Sequence, residues 1–264
     1  MAEALPPSVS EAAYLEDIDA AYRTRFRARV QSRPPGALVL DRTYFYPEGG
    51  GQPSDQGHVT GPDGRRFPVT DVRRSGDEIV HRLGRSEPAG AVPPGAGEEV
   101  EGEIDWERRH RHMRLHTAQH LVSGLAFSLG GIRTRQARMS GTTATIDLDG
   151  PWPSDLDRRE LERRWRSIEL APRAVRIDHV PRAEWDRTPS PRAGIIPIAA
   201  RIDPVRVIEI EGVDRCPCGG THVRSTSEIG RLEITWSEAQ PPAPGDRIVL
   251  RLLDASVQSE RVTP

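Results

Sequence analysis

The sequence predicts an α+β protein in two parts: an amino-terminal glycine-rich β-barrel over residues 1–103 and an α/β domain with an antiparallel sheet over residues 104–264. Two observations predict this class. Short strand-like runs between glycine- and proline-rich turns fill residues 37–103. Beyond them, helical and strand periodicities alternate along the chain, which is typical of an α+β domain.

Turn signals divide the first part into short strands. The run ALVLDRTYFYP, which begins at Ala37, leads into the three glycines of residues 49–51. The PDG at residues 62–64 predicts a hairpin in the segment that follows. Before the PPG at residues 34–36, the chain is compatible with a short helix or an extended arm. Such closely spaced turns favour a small barrel.

The second part is expected to begin with a helix that has Asp105 as its N-cap and ends at Gly130 and Gly131. The run DLDRRELERRWRSIEL predicts a second, very polar helix. Apolar and polar residues alternate in TATIDLD, RLEITW and RIVLRLL, which predicts three half-buried strands. The proline-rich residues 181–193 are expected to form a long loop.

Composition restricts the classes of function. The formal net charge is -2, and all 37 basic residues of the 264 are arginine, so any case for RNA binding must rest on local patches. The sequence shows neither a secretory signal pattern nor an apolar run of the roughly 20 residues that a membrane span needs. We therefore expect a cytoplasmic protein, in which two cysteines are unlikely partners for a lasting disulfide.

Four residues in two short motifs predict a metal site. His116 and His120 stand four residues apart in the first predicted helix, so their imidazoles lie on one face. Cys218 and His222 have the same spacing on a Gly-Gly turn. Three nitrogens and one sulfur make a soft, tetrahedral set that favours zinc. Because residues 117 and 118 are Thr and Ala, the general base of the H-E-x-x-H metalloproteases is missing.

Each motif alone has a plainer interpretation. A histidine pair on a helix is more often packing or surface, and His112 extends the same face by a turn. Cys216 and Cys218 could be inert thiols or a redox-sensitive pair. The joint occurrence of the two motifs favours the metal site. Cys216 lacks a spaced histidine of its own, and we expect it to lie behind the ligands or to be incidental.

Several motifs together resemble a known family. HTAQHL with CGGTHV is similar to the editing domain of alanyl-tRNA synthetases and of the free-standing alanyl-tRNA editing proteins. TYFYPEGGGQPSDQG at residues 43–57, TIDLDG, and TSEIG at residues 226–230 extend the resemblance over most of the chain, from Thr43 to Leu253. Nothing resembles the adenylate-forming domain of a synthetase. The resemblance is therefore to the stand-alone editor in its medium-length form.

The resemblance implies a fold, an activity and a cofactor. The fold is an amino-terminal barrel followed by an editing domain like that of threonyl-tRNA and alanyl-tRNA synthetases. The activity is deacylation of mischarged tRNA(Ala), chiefly Ser-tRNA(Ala) and in some members Gly-tRNA(Ala). One Zn²⁺ per chain is implied, and carried over by motif its ligands are His116, His120, Cys218 and His222. The implied partner is the acceptor end of tRNA(Ala); no protein partner is implied.

Further residues are candidates for substrate contacts. Thr43 matches the family threonine that would bond a serine hydroxyl, although a threonine in a strand is mostly a β-former. Gln52 follows three glycines whose amides could meet a phosphate or an ester carbonyl. Gln119 could approach the substrate from beside the metal, or could be a solvated helix residue.

Three arginine-rich runs are candidates for contacts with tRNA phosphates, at residues 108–114, 133–138 and 158–166, although each could be a solvated face. The run RTRQAR is favoured because it follows the histidine helix. Its candidate residues are Arg133, Arg135, Gln136 and Arg138.

Three rival functions remain open at this stage. The chain could be a zinc hydrolase of another small ester or amide, or a non-catalytic zinc module that binds RNA. The tripeptide Gly50-Gly51-Gln52 also suggests a release-factor-like hydrolase acting on peptidyl-tRNA, but its context differs and it explains none of the histidines.

Overall fold

A computed structural model describes residues 9–86, 90–154, 156–187, 198–238 and 245–253. Its first part contains eight strands, of which the shortest two, β1 and β4, pair in parallel. The strands are β1 (Glu11–Ala12), β2 (Arg25–Ser32), β3 (Ala37–Leu40), β4 (Arg42–Thr43), β5 (Gly57–Thr60), β6 (Arg66–Ser75), β7 (Glu78–Leu83) and β8 (Glu99–Ile104). Two short 3-10 helices, Ala13–Leu15 and Asp19–Tyr22, precede β2.

The other six strands form a closed antiparallel barrel in the order β2-β3-β7-β6-β5-β8. Strand β2 shows why the sequence closes this way, because its arginines face solvent while Phe26, Ala28 and Val30 alternate into the interior. Gly102 on β8 makes room for Phe26, since a Cβ there would lie 2.4 Å from the ring. Of the two alternatives before residue 34, the helix is wrong for residues 25–32, which are extended and form β2 as part of the barrel instead of a separate arm.

The second part combines three helices with two antiparallel sheets of strand order β14-β15-β10-β9 and β11-β12-β13. The predicted mixed class with antiparallel sheets is confirmed. The elements are α1 (Trp106–Gly130), β9 (Thr134–Ser140), β10 (Thr143–Leu148), α2 (Arg158–Leu170), β11 (Val175–Val180), α3 (Arg182–Arg187), β12 (Val205–Ile210), β13 (Asp214–Pro217), β14 (Leu232–Glu238) and β15 (Asp246–Leu252).

Helix α1 is the centre of the second part. The Asp105 carboxylate caps it by accepting from the N–H of Arg108, and Gly131 ends it with a left-handed φ of 66°. Both predicted ends are confirmed. From residue 115 to residue 126 every side chain is buried, because α2, β10, β13 and a 3-10 turn at Thr226–Ile229 pack around the helix. Polar side chains on α1 must therefore find partners inside the protein.

The predicted second helix and the three predicted strands are also confirmed, as α2, β10, β14 and β15. Of the proline-rich residues 181–193, the structure describes those up to residue 187, which include α3; residues 188–193 lie outside the described residues. In the described part of the chain, no helix has the length and apolar character required to cross a bilayer.

A buried ion pair joins the two parts. Arg109 on α1 and Asp55, which follows the glycine-rich turn, are both 0% exposed. The Arg109 Nε lies 2.9 Å and 3.0 Å from the two Asp55 carboxylate oxygens, and the same guanidinium also donates to the Ala21 and Tyr44 carbonyls. Asp55 in turn accepts from the Tyr46 N–H. Both charges are thus compensated away from water.

Candidate metal centre

The two predicted metal motifs meet in space. His116 and His120 lie one turn apart on α1, and Cys218 and His222 lie in the loop that follows β13. One donor atom from each of the four side chains lies within 4.8 Å of all the others, so the group could hold a metal ion. The Cys218 Sγ is 3.5 Å from the His116 Nε2 and 3.4 Å from the His222 Nε2.

Each of the three imidazoles is held from behind through its Nδ1, which leaves the other ring nitrogen available to the centre. A histidine that binds a metal usually has its second ring nitrogen bonded to a carboxylate, carbonyl or similar group, which sets the tautomer. The three pairs are His116 Nδ1 with Gln52 Oε1 at 2.8 Å, His120 Nδ1 with Asp214 Oδ2 at 2.9 Å, and His222 Nδ1 with Thr117 Oγ1 at 3.1 Å.

Two of the separations between donors, those from the Cys218 sulfur to the nitrogens of His116 and His222, fit the edges of a tetrahedral site. Zinc–sulfur bonds of ~2.3 Å and zinc–nitrogen bonds of ~2.0 Å place sulfur and nitrogen about 3.5 Å apart around a tetrahedral centre. The observed sulfur–nitrogen separations of 3.4 Å and 3.5 Å match this edge. The donor set and the hydrogen bonds behind it therefore fit zinc.

Electrostatics prepare the thiol as a ligand. Burial raises the pKa of the Cys218 thiol, but the adjacent His116 and His222 outweigh burial and hold this pKa well below its usual range. Burial lowers the pKa of His120, but its bonds to Asp214 and Cys218 raise it to about 9. The pocket thus favours a thiolate, the form of cysteine that binds metals.

The Gly-Gly turn lets the loop approach α1 closely. A Cβ on Gly220 would lie 2.1 Å from Cε1 and 2.4 Å from Nδ1 of His116, whereas a Cβ on Gly219 would meet nothing within 4 Å. The Gly220 N–H also lies 3.3 Å from the Cys218 Sγ, a donor aimed at the sulfur. Gly220 is therefore required for the ring and the thiol to share one site.

Sequence reasoning missed two residues of the centre, Asp214 and Arg206. Asp214 holds His120, and the signal was a carboxylate just before the cysteine motif. Arg206 on β12 is 8% exposed, donates to the Cys218 carbonyl, and lies 3.2 Å from the Leu15 carbonyl through its Nε. It ties the cysteine loop to the amino-terminal segment. The sequence feature that could have indicated Arg206 is an arginine inside the apolar run VRVIEI.

Gln52 reaches the centre, whereas Thr43 and Gln119 are engaged elsewhere. Thr43 is fully buried, and its hydroxyl accepts from the Phe45 N–H and bonds His81 Nε2 at 2.9 Å. That hydroxyl is committed inside the barrel, which argues against the expected bond to a substrate hydroxyl. Gln119 is 2% exposed and donates to two carbonyls of β9 and β10, so it is not a solvated helix residue.

Cys216 lies on β13 and is 8% exposed. It is not among the four side chains that group as donors within the described residues, in agreement with its expected place outside the ligand set.

The arginine-rich runs differ in their surroundings. Arg109 in the first run is buried with Asp55, so this run is not simply a solvated face. In the third run, Arg163 and Arg164 pair with Glu160 along α2. In the second run, Arg133, Arg135, Gln136 and Arg138 are all exposed, on β9 or just before it.

The glycine-rich turn docks on β9. The Gly51 carbonyl accepts from the Met139 N–H at 3.0 Å. A Cβ on Gly51 would lie 2.0 Å from the Ala137 carbonyl oxygen, and its φ is 82°, so only glycine fits. Because Gln52 follows directly, the backbone of β9 adjoins the loop that supports His116.

Comparison with known proteins identifies the family. Residues 12–108 match the family model of class II (A) tRNA synthetases, and residues 205–248 match that of the threonyl and alanyl tRNA synthetase second additional domain. The chain is 38% identical over 231 residues to alanine–tRNA ligase of Pyrococcus abyssi and spans 24% of that ligase's length.

Shorter relatives match almost end to end. The chain is 34% identical over 232 residues to alanyl-tRNA editing protein AlaX-M of Methanosarcina mazei, covering 86% of this chain and 90% of the relative. The corresponding protein of Saccharolobus solfataricus is 34% identical over 231 residues, covering 86% and 92%. On this similarity over nearly the whole of both chains, the protein belongs to the alanyl-tRNA editing protein family.

Proposed function

We propose that the protein is a trans-editing hydrolase that deacylates mischarged tRNA(Ala), chiefly Ser-tRNA(Ala) and also Gly-tRNA(Ala). The observation that carries the proposal is the four-donor group, in which each imidazole is fixed from behind. The relatives named as alanyl-tRNA editing proteins, which the chain matches over about nine-tenths of their length, support the same activity. The proposal includes a cytoplasmic location. It also includes the division of the chain into a barrel domain of residues 1–103 and an editing domain of residues 104–264.

An editing site is needed because a synthetase pocket for alanine cannot reject amino acids of similar size strongly. One methyl group is worth only about 1–3 kcal/mol in an apolar pocket, so an alanine site rejects glycine weakly, and it rejects the added hydroxyl of serine weakly for a related reason. A second site that hydrolyses the wrong ester restores accuracy. The bond cleaved is the ester between the amino acid and the terminal ribose, and water supplies the oxygen of the released carboxylate.

His116, His120, Cys218 and His222 would hold one Zn²⁺ per chain. A zinc ion bound there would supply a Lewis acid beside the ester carbonyl. Four protein ligands fill a tetrahedral shell, which favours a role in positioning substrate and water. The aminoacyl ester is already activated, so a correctly placed carbonyl and water contribute much of the required acceleration.

The tRNA would lie along β9. The exposed side chains Arg133, Arg135 and Arg138 offer guanidinium groups to phosphate oxygens, and Gln136 offers an amide beside them. Arg135 is 3.5 Å from Asp147, so its charge is partly compensated, whereas Arg133 and Arg138 have no acidic partner within 4.0 Å among the described residues. The docking of Gly51 on this strand supports a path from β9 to the metal centre.

The deciding experiment incubates the purified protein with Ser-tRNA(Ala), Gly-tRNA(Ala) and Ala-tRNA(Ala), with metal content measured alongside. We expect loss of the first two esters and survival of the third, with one zinc per chain. Equal rates on all three would refute the specificity, and intact Ser-tRNA(Ala) in the presence of zinc-loaded protein would refute the activity.

The closed four-ligand shell also favours a second candidate, a non-catalytic zinc module that binds tRNA. This candidate predicts binding of Ser-tRNA(Ala) without deacylation, so the same incubation separates the two. A free seryl ester added as a third substrate tests a zinc hydrolase of small esters, which would turn it over without RNA.

A further inference from the structure

We propose that Gln52 is a positioning residue through which the barrel loop sets the tautomer and orientation of His116, so that a residue of the first part determines metal affinity in the second. The inference rests on the proposed metal site. It replaces the substrate contact expected from the sequence with a contact to a ligand.

The Gln52 amide is fixed by three hydrogen bonds that agree with one orientation. Its Oε1 lies 2.8 Å from the His116 Nδ1 and accepts from the Thr221 N–H at 3.2 Å, while its Nε2 donates to the Thr221 hydroxyl at 2.9 Å. Gln52 is 0% exposed, so water does not compete for these bonds. A reversed amide would place its NH2 group against a backbone N–H, which excludes that orientation.

This orientation determines where the His116 proton lies. Because the Gln52 Oε1 is an acceptor, the His116 Nδ1 must carry the hydrogen, and the lone pair is left on Nε2. That Nε2 faces the Cys218 Sγ at 3.5 Å. The same amide holds Thr221, which adjoins both Gly220 and His222. One side chain therefore supports ligands from both metal motifs.

Gln52 is itself held rigidly. Gly49 and Gln52 exchange two backbone hydrogen bonds across the turn, at 2.9 Å and 3.1 Å, and Gly51 docks on β9. Three residues beyond Gln52, Asp55 forms the buried pair with Arg109, two turns before His116 on the same helix. The loop thus contacts α1 at two points, through Asp55 at Arg109 and through Gln52 at His116. These contacts restrict any change in the orientation of Gln52 relative to His116.

The test compares Gln52→Met, which keeps the volume and removes the acceptor, with Gln52→Glu, which keeps an acceptor for the His116 N–H. Gln56→Met is the matched control, since Gln56 is exposed and its side-chain amide donates to the Thr70 carbonyl of the barrel. Full-length apoprotein is titrated with Co²⁺, whose absorption reports thiolate and imidazole binding, and Zn²⁺ affinity follows from competition with a chelator.

We expect Gln52→Met to weaken metal binding by roughly 10- to 100-fold, the usual effect of losing a group that orients a ligand. Gln52→Glu and Gln56→Met should bind Co²⁺ close to wild type. Wild-type affinity in Gln52→Met overturns the inference. So does an equal loss in Gln52→Met and Gln52→Glu, because it would indicate a packing role that any change disturbs; urea unfolding of the apoproteins confirms which variants fold.

The outcome for Gln52 is separable from the outcome for the proposed function. If wild-type protein binds Co²⁺, Gln52→Met binds it more weakly and wild-type protein leaves Ser-tRNA(Ala) intact, the hydrolase proposal is refuted. Gln52 would then still be a positioning residue. Deacylation that survives with unchanged metal affinity in Gln52→Met refutes the positioning role alone.

Discussion

Removing one partner of the buried pair of Asp55 and Arg109 should cost the chain several kcal/mol of stability, because the other charge stays buried. Asp55→Ala leaves a guanidinium that is 0% exposed without its anionic partner. The remaining bonds to the Ala21 and Tyr44 carbonyls engage its two terminal nitrogens, but its Nε–H and its charge lose the Asp55 carboxylate. Breaking a buried pair in this way costs about 3–5 kcal/mol. For a protein of this size, that corresponds to a fall in Tm of roughly 6–20 °C.

The assay is urea unfolding of the metal-free protein, so that ligand binding does not contribute to the measured free energy. The matched control is Glu101→Ala, which removes the partner of Arg27 from a pair whose side chains are 64% and 81% exposed. Such a pair contributes about 0–1 kcal/mol. We expect the double variant Asp55→Leu/Arg109→Met to cost less than the sum of its single changes, because no charge remains buried.

Two results would contradict this reasoning. If Asp55→Ala cost no more than the Glu101→Ala control, the pair would not be compensating a buried charge. If the double variant were as costly as the sum of its single changes, the two side chains would not be coupled, and the attachment of α1 to the barrel would need another cause.

Three further predictions concern the centre and the barrel. Gly220→Ala should abolish metal binding by equilibrium dialysis while Gly219→Ala keeps it, since only the first added methyl strikes a ligand ring. Cys218→Ala should lower zinc content and deacylation together, whereas Cys216→Ala should change neither; loss of metal from the latter would mean that the wrong thiol was assigned. Burial lowers the pKa of His81 from 6.5 to about 4. The unfolded chain therefore takes up this proton first as the pH falls, and up to about 3 kcal/mol of stability should be lost between pH 6.5 and 4. Urea unfolding at both ends of this range should show a smaller loss in His81→Gln, and an equal loss would exclude His81 as the cause.

The parts of the fold that the sequence anticipates are those with local signals. Helix α1 has an N-cap at Asp105 and a glycine at its end, and β10, β14 and β15 show a period of two. In β2, RFRARVQS does alternate arginine with small or apolar residues, but the residues before it suggest a helix, so the sequence leaves a helix or an extended arm open there. Its identity as a strand comes from closing the barrel between β3 and β8, which is a long-range interaction.

The metal centre shows the same division. Spacing within each motif placed His116 with His120 and Cys218 with His222, and chemistry joined the two pairs. Spacing could not show that Gln52, 64 residues before His116, would turn inward to a ligand. Nor could it show that the Thr43 hydroxyl would be taken by His81 inside the barrel. Contacts between distant segments depend on how the two parts pack, and no local pattern encodes them.

The contact between Gly51 and β9 also bears on how the protein avoids self-association. Strand β9 is an outer strand of its sheet, and an outer strand with free backbone groups can recruit a strand from another molecule. The Gly51 carbonyl occupies the Met139 amide, and the turn lies directly against Ala137. The glycine turn that leads into Gln52 thus covers part of the exposed edge of β9. A chain in which this turn is displaced would expose that edge and would be prone to aggregate through it.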